Sequence, residues 1–271
     1  MKTIKFTAIL ITAMLLSFKI MAQSEQLVVP LSEPGKPYKL DVSLVTGSIK
    51  VIGYEGKDVV IEVKGEGHKK DDGDNQMDGM HRISGGDNLE VTAKEKNNKV
   101  TVSSGLPNKM VSLTIKVPQG ASNIKLETVN DGMISVSNVS GDLEVTNVNG
   151  AINMDGISGS VVANTVNGML KVSFKSVDAK SAMAFSTLNG DVNVTFPAGI
   201  RANFKLKTDQ GSIYTDFDMT TDPSTPKVTK TAKDGMYRLA MDEWVYGKVG
   251  GGGPEVMMKT MNGSIYIKKA K

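Results

Sequence analysis

The fold is decided by residues 128–172, which read TVNDGMISVSNVSGDLEVTNVNGAINMDGISGSVVANTVNGMLKV. Glycine recurs every nine residues in this stretch, at Gly132, Gly141, Gly150, Gly159 and Gly168. A fixed period this short is typical of repeat proteins, in which a unit buries its apolar side only by stacking on its neighbours. The stretch therefore predicts a stack of short, similar units.

Apolar and polar residues alternate after each glycine, as in Asp142–Val145 and Asp191–Val194. This two-residue period is that of a β-strand with one buried face, and no helical period fits it. Apolar residues also stand two positions before most of the glycines, and Val148 and Val166 are examples. We therefore predict that these two valines point into the core.

Most of the repeat glycines follow an asparagine or a serine. Asn-Gly and Ser-Gly supply the positive backbone angles that a tight corner requires, so each pair is predicted to turn the chain. Two nine-residue halves then form an 18-residue rung, and rungs stack in parallel about 4.8 Å apart. The predicted corner residues are Asn130, Gly132, Gly141, Asn149, Gly150, Gly159, Asn167, Gly168, Asn189, Gly190, Gly211, Asn262 and Gly263.

Asn-Gly between alternating segments is also a strong signal for a two-residue β-hairpin, so an antiparallel meander is the competing fold. A meander does not need a constant spacing, whereas a coil must return each corner to the same place. We therefore predict an all-β fold, a parallel β-solenoid or β-helix-like stack of short strands with Asn-Gly corners, in a single elongated domain.

Residues 1–22 have the features of a secretory signal peptide, with Lys2 and Lys5 before an apolar run at 6–18. The protein is thus predicted to be exported to the periplasm, the cell surface or the medium. The apolar run is too short to span a bilayer as a helix, and we predict no transmembrane segment after signal removal. With no cysteine in the chain, neither a disulfide nor a lipid-bearing cysteine is expected.

Removal of the signal peptide also removes three lysines and leaves 29 basic against 29 acidic residues. A neutral protein lacks the excess of basic residues that binding to nucleic acid or to an anionic membrane surface requires. We therefore predict no nucleic-acid partner.

The remaining chain divides into two parts. Residues 23–120 are predicted to form an N-terminal β segment with a flexible loop at 64–88, which is rich in Gly, Asp and Lys. Residues 121–271 form the repeat segment and end in Lys268, Lys269 and Lys271, charges that discourage a last strand from pairing with another molecule.

In these motifs the chain resembles the bacterial putative-adhesin domain family of unknown function, whose members are exported β-strand-repeat proteins. The resemblance rests on the Thr-x-Asn-Gly-x-Ile-x-Val units and on Val117–Gly120, Phe196–Gly199, Gly251–Pro254 and Thr260–Ile265. It implies a β-solenoid-like fold and an envelope or extracellular location. It supplies no catalytic residues.

Two patterns suggest a metal site, and each has a simpler interpretation. Glycine every nine residues is reminiscent of calcium-binding β-rolls, but these corners lack the paired aspartates of a calcium shell. The segment Asp74–Gly79 matches the start of an EF-hand loop, yet Gly85 stands where the bidentate glutamate belongs. His68 and His81, the only histidines, lie in the same loop. We predict no metal, no cofactor and no catalytic residue.

Three aromatic residues are candidates for ligand stacking. Tyr214 and Tyr266 both stand three residues after a corner glycine, at an outward position. If their rungs are neighbours, the rings form a stripe that together with Trp244 can stack on sugar rings. Rings that only stabilise the sheet would give the same pattern.

The sequence thus predicts a non-enzymatic adhesin or envelope interaction protein with an unidentified partner, a glycan or a protein. A carbohydrate-binding or carbohydrate-cleaving β-helix protein is the alternative, since some parallel β-helices cleave polysaccharides.

Overall fold

The computed structural model describes residues 25–65, 90–104, 109–222, 227–233, 236–242 and 244–271. The predicted signal peptide at 1–22 and residues 66–88 of the predicted loop lie outside these ranges. Both therefore stay predictions.

Every regular element in the described ranges is a β-strand, which confirms the predicted all-β class. The strands are β1 (Glu25–Pro30), β2 (Tyr38–Tyr54), β3 (Asp58–Gly65), β4 (Val91–Lys96), β5 (Lys99–Ser104), β6 (Val111–Pro118), β7 (Ala121–Asn130), β8 (Ile134–Ser137), β9 (Ser140–Asn147), β10 (Ile152–Asn164), β11 (Leu170–Val177), β12 (Met183–Ser186), β13 (Val192–Phe196), β14 (Ala202–Gln210), β15 (Ile213–Thr215), β16 (Thr220–Asp222), β17 (Lys227–Lys233), β18 (Met236–Asp242), β19 (Val245–Val249), β20 (Glu255–Asn262) and β21 (Ile265–Lys269).

The strands pair in two columns. Column 1 contains, in order of pairing, β4, β5, the first half of β2, β7, β9, the second half of β10, β12, β20, β14, β19 and β16. Column 2 contains β1, β3, β6, the second half of β2, β8, the first half of β10, β11, β13, β21 and β15. A strand of column 1 and the following strand of column 2 form one rung. The strands β17 and β18 form a separate hairpin.

Neighbouring rungs are parallel in the repeat segment, as predicted. Gly141 pairs with Gly159 and Ile152 pairs with Leu170, so partners are 18 residues apart. In an antiparallel meander, the residue numbers of paired positions would rise along one strand and fall along the other. The parallel register in this part of the chain therefore excludes a meander. The arrangement is β-helix-like.

The nine-residue period arises from two different kinds of corner that alternate. At Gly150 and Gly168 the chain leaves column 1 through an irregular turn and enters column 2. Gly159 lies inside β10, where the chain passes back into column 1 without leaving the strand conformation, whereas Gly141 is the second residue of β9 and follows a short break at 138–139. One Asn-Gly turn and one Ser-Gly bend therefore complete a rung.

Close packing between rungs explains the glycines at the Asn-Gly turns. A Cβ atom added at Gly150 would lie 1.9 Å from the carbonyl oxygen of Gly132, and one at Gly168 would lie 2.3 Å from that of Gly150. Positive φ angles, predicted for all these corners, occur at Gly141 (128°), Gly159 (133°), Gly190 (148°) and Gly263 (159°) but at neither Gly150 nor Gly168. Here the steric limit comes from the neighbouring rung.

In six rungs, a buried or half-buried polar side chain bonds the corner carbonyl of the rung before it in the stack. The Oγ1 atom of Thr165 donates to the carbonyl oxygen of Gly150 at 2.9 Å. The equivalent bonds are Thr128 to Gly47, Asn147 to Gly132, Thr187 to Gly168, Thr260 to Gly190 and Thr208 to Gly263, at 2.7–3.0 Å. These bonds satisfy a carbonyl group that the turn leaves outside the strand ladder.

Aliphatic side chains fill the space between the columns, and four phenylalanines join them towards the C-terminal rungs. The rings of Phe174 and Phe196 stack with centroids 5.3 Å apart, and Phe185 and Phe204 meet Phe196 edge to face.

The predicted inward position of Val148 and Val166 is wrong, because Val148 is half-buried and Val166 is 38% exposed. The strand alternation places Thr165 inside and Val166 outside.

The rungs do not stack in sequence order. Gly211 is the next corner glycine after Gly190 in the sequence, but Gly263 packs against the carbonyl oxygen of Gly190, and Gly211 packs against that of Gly263. The C-terminal strand β21 is therefore inserted between β13 and β15 and has both edges paired, which corrects the expectation of a charged last strand at an edge. The strand β2 is likewise inserted between the β5–β6 rung and the β7–β8 rung.

We expect the substitution Gly150→Ala to destabilise the fold by about 3 kcal/mol, because its Cβ would overlap the backbone of the neighbouring rung. Gly199→Ala is the matched control, since a Cβ at Gly199 meets nothing within 4 Å. It should change the free energy of unfolding by less than about 0.5 kcal/mol. Denaturant unfolding of both variants tests the steric explanation, which equal effects would contradict.

We also expect Thr165→Val to cost about 1–2 kcal/mol, because the carbonyl oxygen of Gly150 loses its hydroxyl donor while the volume is kept. Thr101→Val, at an exposed outward position of β5, should be nearly silent in the same measurement. A Thr165→Val protein as stable as the wild type would show that this bond contributes nothing to stability.

Candidate interaction surface

A row of six aliphatic side chains projects from the corner where column 1 ends. They stand one residue before the corner asparagine or its equivalent: Val45, Val129, Val148, Val166, Leu188 and Met261. Five of them are 38–44% exposed, and Val148 is half-buried. We call this set the aliphatic row.

The register of the strands places the row on consecutive rungs. Leu44 pairs with Thr128 and Thr128 pairs with Asn147, which sets Val45, Val129 and Val148 side by side. The bridges Asn149 to Asn167, Asn167 to Asn189 and Asn189 to Asn262 continue the alignment through Met261. At about 4.8 Å a rung, the row is roughly 24 Å long.

The apolar character distinguishes this outward position from the one two residues before it. Two residues earlier on the same strands, the side chains also point outward and all six are polar: Ser43, Glu127, Thr146, Asn164, Ser186 and Lys259. A general preference of strands for aliphatic residues would not distinguish the two positions, since both lie on the same pleated surface. The aliphatic row is therefore a distinct feature of the surface.

An asparagine ladder runs beside the aliphatic row. Each side-chain Nδ2 donates to the Oδ1 of the next asparagine, from Asn262 to Asn189 and from Asn189 to Asn167 at 2.7 Å each. The ladder continues from Asn167 to Asn149 at 2.9 Å and from Asn149 to Asn130 at 3.3 Å. The corner asparagines therefore bond mainly to one another.

Three further apolar residues lie on the other side of the ladder, one after each corner glycine of the middle rungs. Met133 is 45% exposed, Met169 is 47% exposed, and Ala151 lies between them in the stack. The sulfur of Met133 accepts from the Nδ2 of Asn153 at 3.2 Å. Together with the aliphatic row and the asparagine ladder, these residues form what we call the corner surface.

The structure brings two of the three predicted stacking residues together. The rings of Tyr214 and Tyr266 are 5.2 Å apart and nearly parallel, at 13°. Trp244 lies elsewhere, where the Nζ of Lys205 is 4.7 Å from its ring centroid. Lys205 belongs to β14 in column 1, whereas both tyrosines belong to column 2, so the structure does not place Trp244 in the tyrosine stripe.

Tyr214 lies at the end of column 2. Its strand β15 pairs with β21, and within the described ranges no strand pairs with the other edge of β15. The ring is 52% exposed, and the Nζ of Lys268 lies 5.5 Å from the centroid of the Tyr266 ring. One face of the Tyr214 ring is thus available for a planar ligand.

The candidate metal positions fall outside the described residues, namely Asp74–Gly79, Gly85, His68 and His81. In the part of the chain that the structure describes, no group of three or more acidic or histidine side chains is arranged to hold a metal ion. The same part contains no helix long and apolar enough to cross a membrane.

Two solved structures are similar to this chain over most of its length. A putative cell adhesion protein from Clostridium sporogenes ATCC 15579 has 12% sequence identity and a TM-score of 0.42, and the match covers 92% of this chain and 100% of that chain. A putative adhesin from Bacteroides fragilis NCTC 9343 has 13% identity and a TM-score of 0.41, with 92% and 98% covered. No protein-family model and no curated protein matches the sequence.

Proposed function

We propose that the protein is an exported, non-enzymatic interaction protein of the cell envelope or cell surface, which binds its partner through the corner surface of a β-solenoid. The aliphatic row carries this proposal, because five of six successive rungs expose an apolar side chain at a position where water would favour a polar one. The predicted signal peptide and the resemblance to exported adhesin domains support the location.

The composition of the corner surface supports a binding role. The largest apolar patch exposed on a monomeric protein is often functional. Met133 lies across the ladder in the rung of Val129, and Met169 lies across it in the rung of Val166. The apolar surface is therefore wider than the aliphatic row itself in these two rungs.

Binding of the purified protein to isolated cell envelopes of the producing bacterium tests the proposal. We expect saturable binding that Val166→Asp weakens at least roughly tenfold, because the substitution places a charge in the centre of the apolar surface. Val162→Asp is the matched control, since Val162 is 39% exposed on the same strand column but outside the aliphatic row. Equal losses for the two variants would contradict a role for the corner surface.

Incubation with a panel of polysaccharides tests the non-enzymatic part. We expect no release of reducing ends above that of a heat-inactivated sample. Reproducible release would instead favour the carbohydrate-cleaving alternative.

A second candidate function, carbohydrate binding, is favoured by the open face of Tyr214 at the end of its stack. A sugar ring that packs on this face would continue the stack of the two tyrosines.

If glycans bind there, Tyr214→Ala should abolish glycan binding in calorimetry. Tyr246→Ala, which removes an exposed tyrosine in β19, should not change it. Equal affinities of the Tyr214→Ala protein and the wild type would contradict this site.

A further inference from the structure

We infer that the partner which fits the corner surface is a second copy of this chain, bound in an antiparallel orientation. This inference rests on the proposed function, because it names the partner of the same surface. It follows from the spacing of the aliphatic row, the order of its side chains and the charges beside it.

The spacing favours a second copy. Side chains of the aliphatic row repeat at the distance between rungs, about 4.8 Å, over six rungs. Two identical rows share this spacing, so each side chain of one copy can meet a side chain of the other over the five rungs from Val129 to Met261. A surface without the same repeat would match it at only one or two positions.

A two-fold axis across the stack at Val166 gives a symmetric contact. It places Val166 of one copy against Val166 of the other, Val148 against Leu188, and Val129 against Met261. Such a contact is isologous, with the same patch used by both copies, as in most homodimers.

The charges beside the row agree with this orientation. Glu127 stands two residues before Val129, and Lys259 stands two residues before Met261, so both lie on the same side of the row. The axis at Val166 therefore brings Glu127 of each copy to Lys259 of the other. A parallel arrangement of the two stacks would not make this pair.

The polar part of the corner surface costs little to cover. The amides of Asn149, Asn167 and Asn189 already donate and accept along the ladder. A second copy that covers these asparagines therefore leaves fewer polar atoms without a hydrogen bond than one that covers asparagines outside a ladder. The apolar area is small for a stable dimer, which predicts a weak, reversible association.

Sedimentation equilibrium of the purified protein from about 1 to 200 μM tests the inference. We expect a monomer–dimer equilibrium in this range, with a dissociation constant that Val166→Asp raises at least roughly tenfold. Val162→Asp should leave the constant unchanged, because Val162 lies outside the row at a similar exposure. A wild-type protein that stays monomeric, or equal effects of the two variants, would overturn the inference.

Charge reversal tests the orientation. Glu127→Lys and Lys259→Glu should each weaken the dimer several-fold. The double variant should recover most of the lost affinity, because it restores both ion pairs with the two charges exchanged. A double variant no tighter than either single variant would overturn the antiparallel arrangement.

The envelope-binding assay and the sedimentation experiment distinguish this inference from the proposed function. A protein that binds envelopes through the corner surface but stays monomeric would overturn the second copy as partner and keep the interaction role. A protein that dimerises through the aliphatic row but does not bind envelopes would keep the dimer and overturn the interaction with the envelope.

Discussion

The contact between successive corners is the constraint on which the rest of the structure depends. The carbonyl oxygen of Gly150 receives the hydroxyl of Thr165 and lies 2.3 Å from where a Cβ of Gly168 would stand. This single oxygen atom therefore accounts for two features of the sequence. It requires a hydrogen-bond donor at Thr165, three positions before the next corner glycine, and it leaves no room for a side chain at Gly168 itself. Because the same contact recurs from rung to rung, each corner returns to the same place, and the strands between corners must be parallel and in register.

The strands and the spacing of their partners depend on short-range sequence patterns and could therefore be predicted from the sequence. Alternation after each glycine predicted the strands, and the nine-residue spacing predicted partners 18 residues apart, as Gly141 and Gly159 are. The order of rungs could not be predicted in the same way. Val256 and Met258 of the inserted rung are buried and apolar in the same alternation as Phe204 and Leu206 of the rung that follows it, so no local pattern distinguishes the two places in the stack.

The corner surface was missed for a different reason. Val148 and Val166 were placed inside because they are apolar, although strand alternation from Val161 through Ala163 to Thr165 already assigns Val166 to the outside. The signal that could have revealed the surface is therefore the threonine, since a buried polar residue beside an exposed apolar one inverts the usual pattern. Threonine is buried there because it bonds the corner carbonyl, a contact between rungs that a single repeat does not show.

Neighbouring residues at the corner consequently have separate roles. Thr165 is inside and stabilises the stack through its hydrogen bond to the carbonyl group of Gly150, whereas the side chain of Val166 is 38% exposed on the outside. A change in the side chain of Val166 is therefore expected to alter the proposed recognition more than the stack. The stack in turn gives recognition its geometry, because the spacing that the corner contacts impose on the core is also the spacing of the aliphatic row. Any partner that uses the whole row must match that repeat, and a second copy of the chain does so by construction.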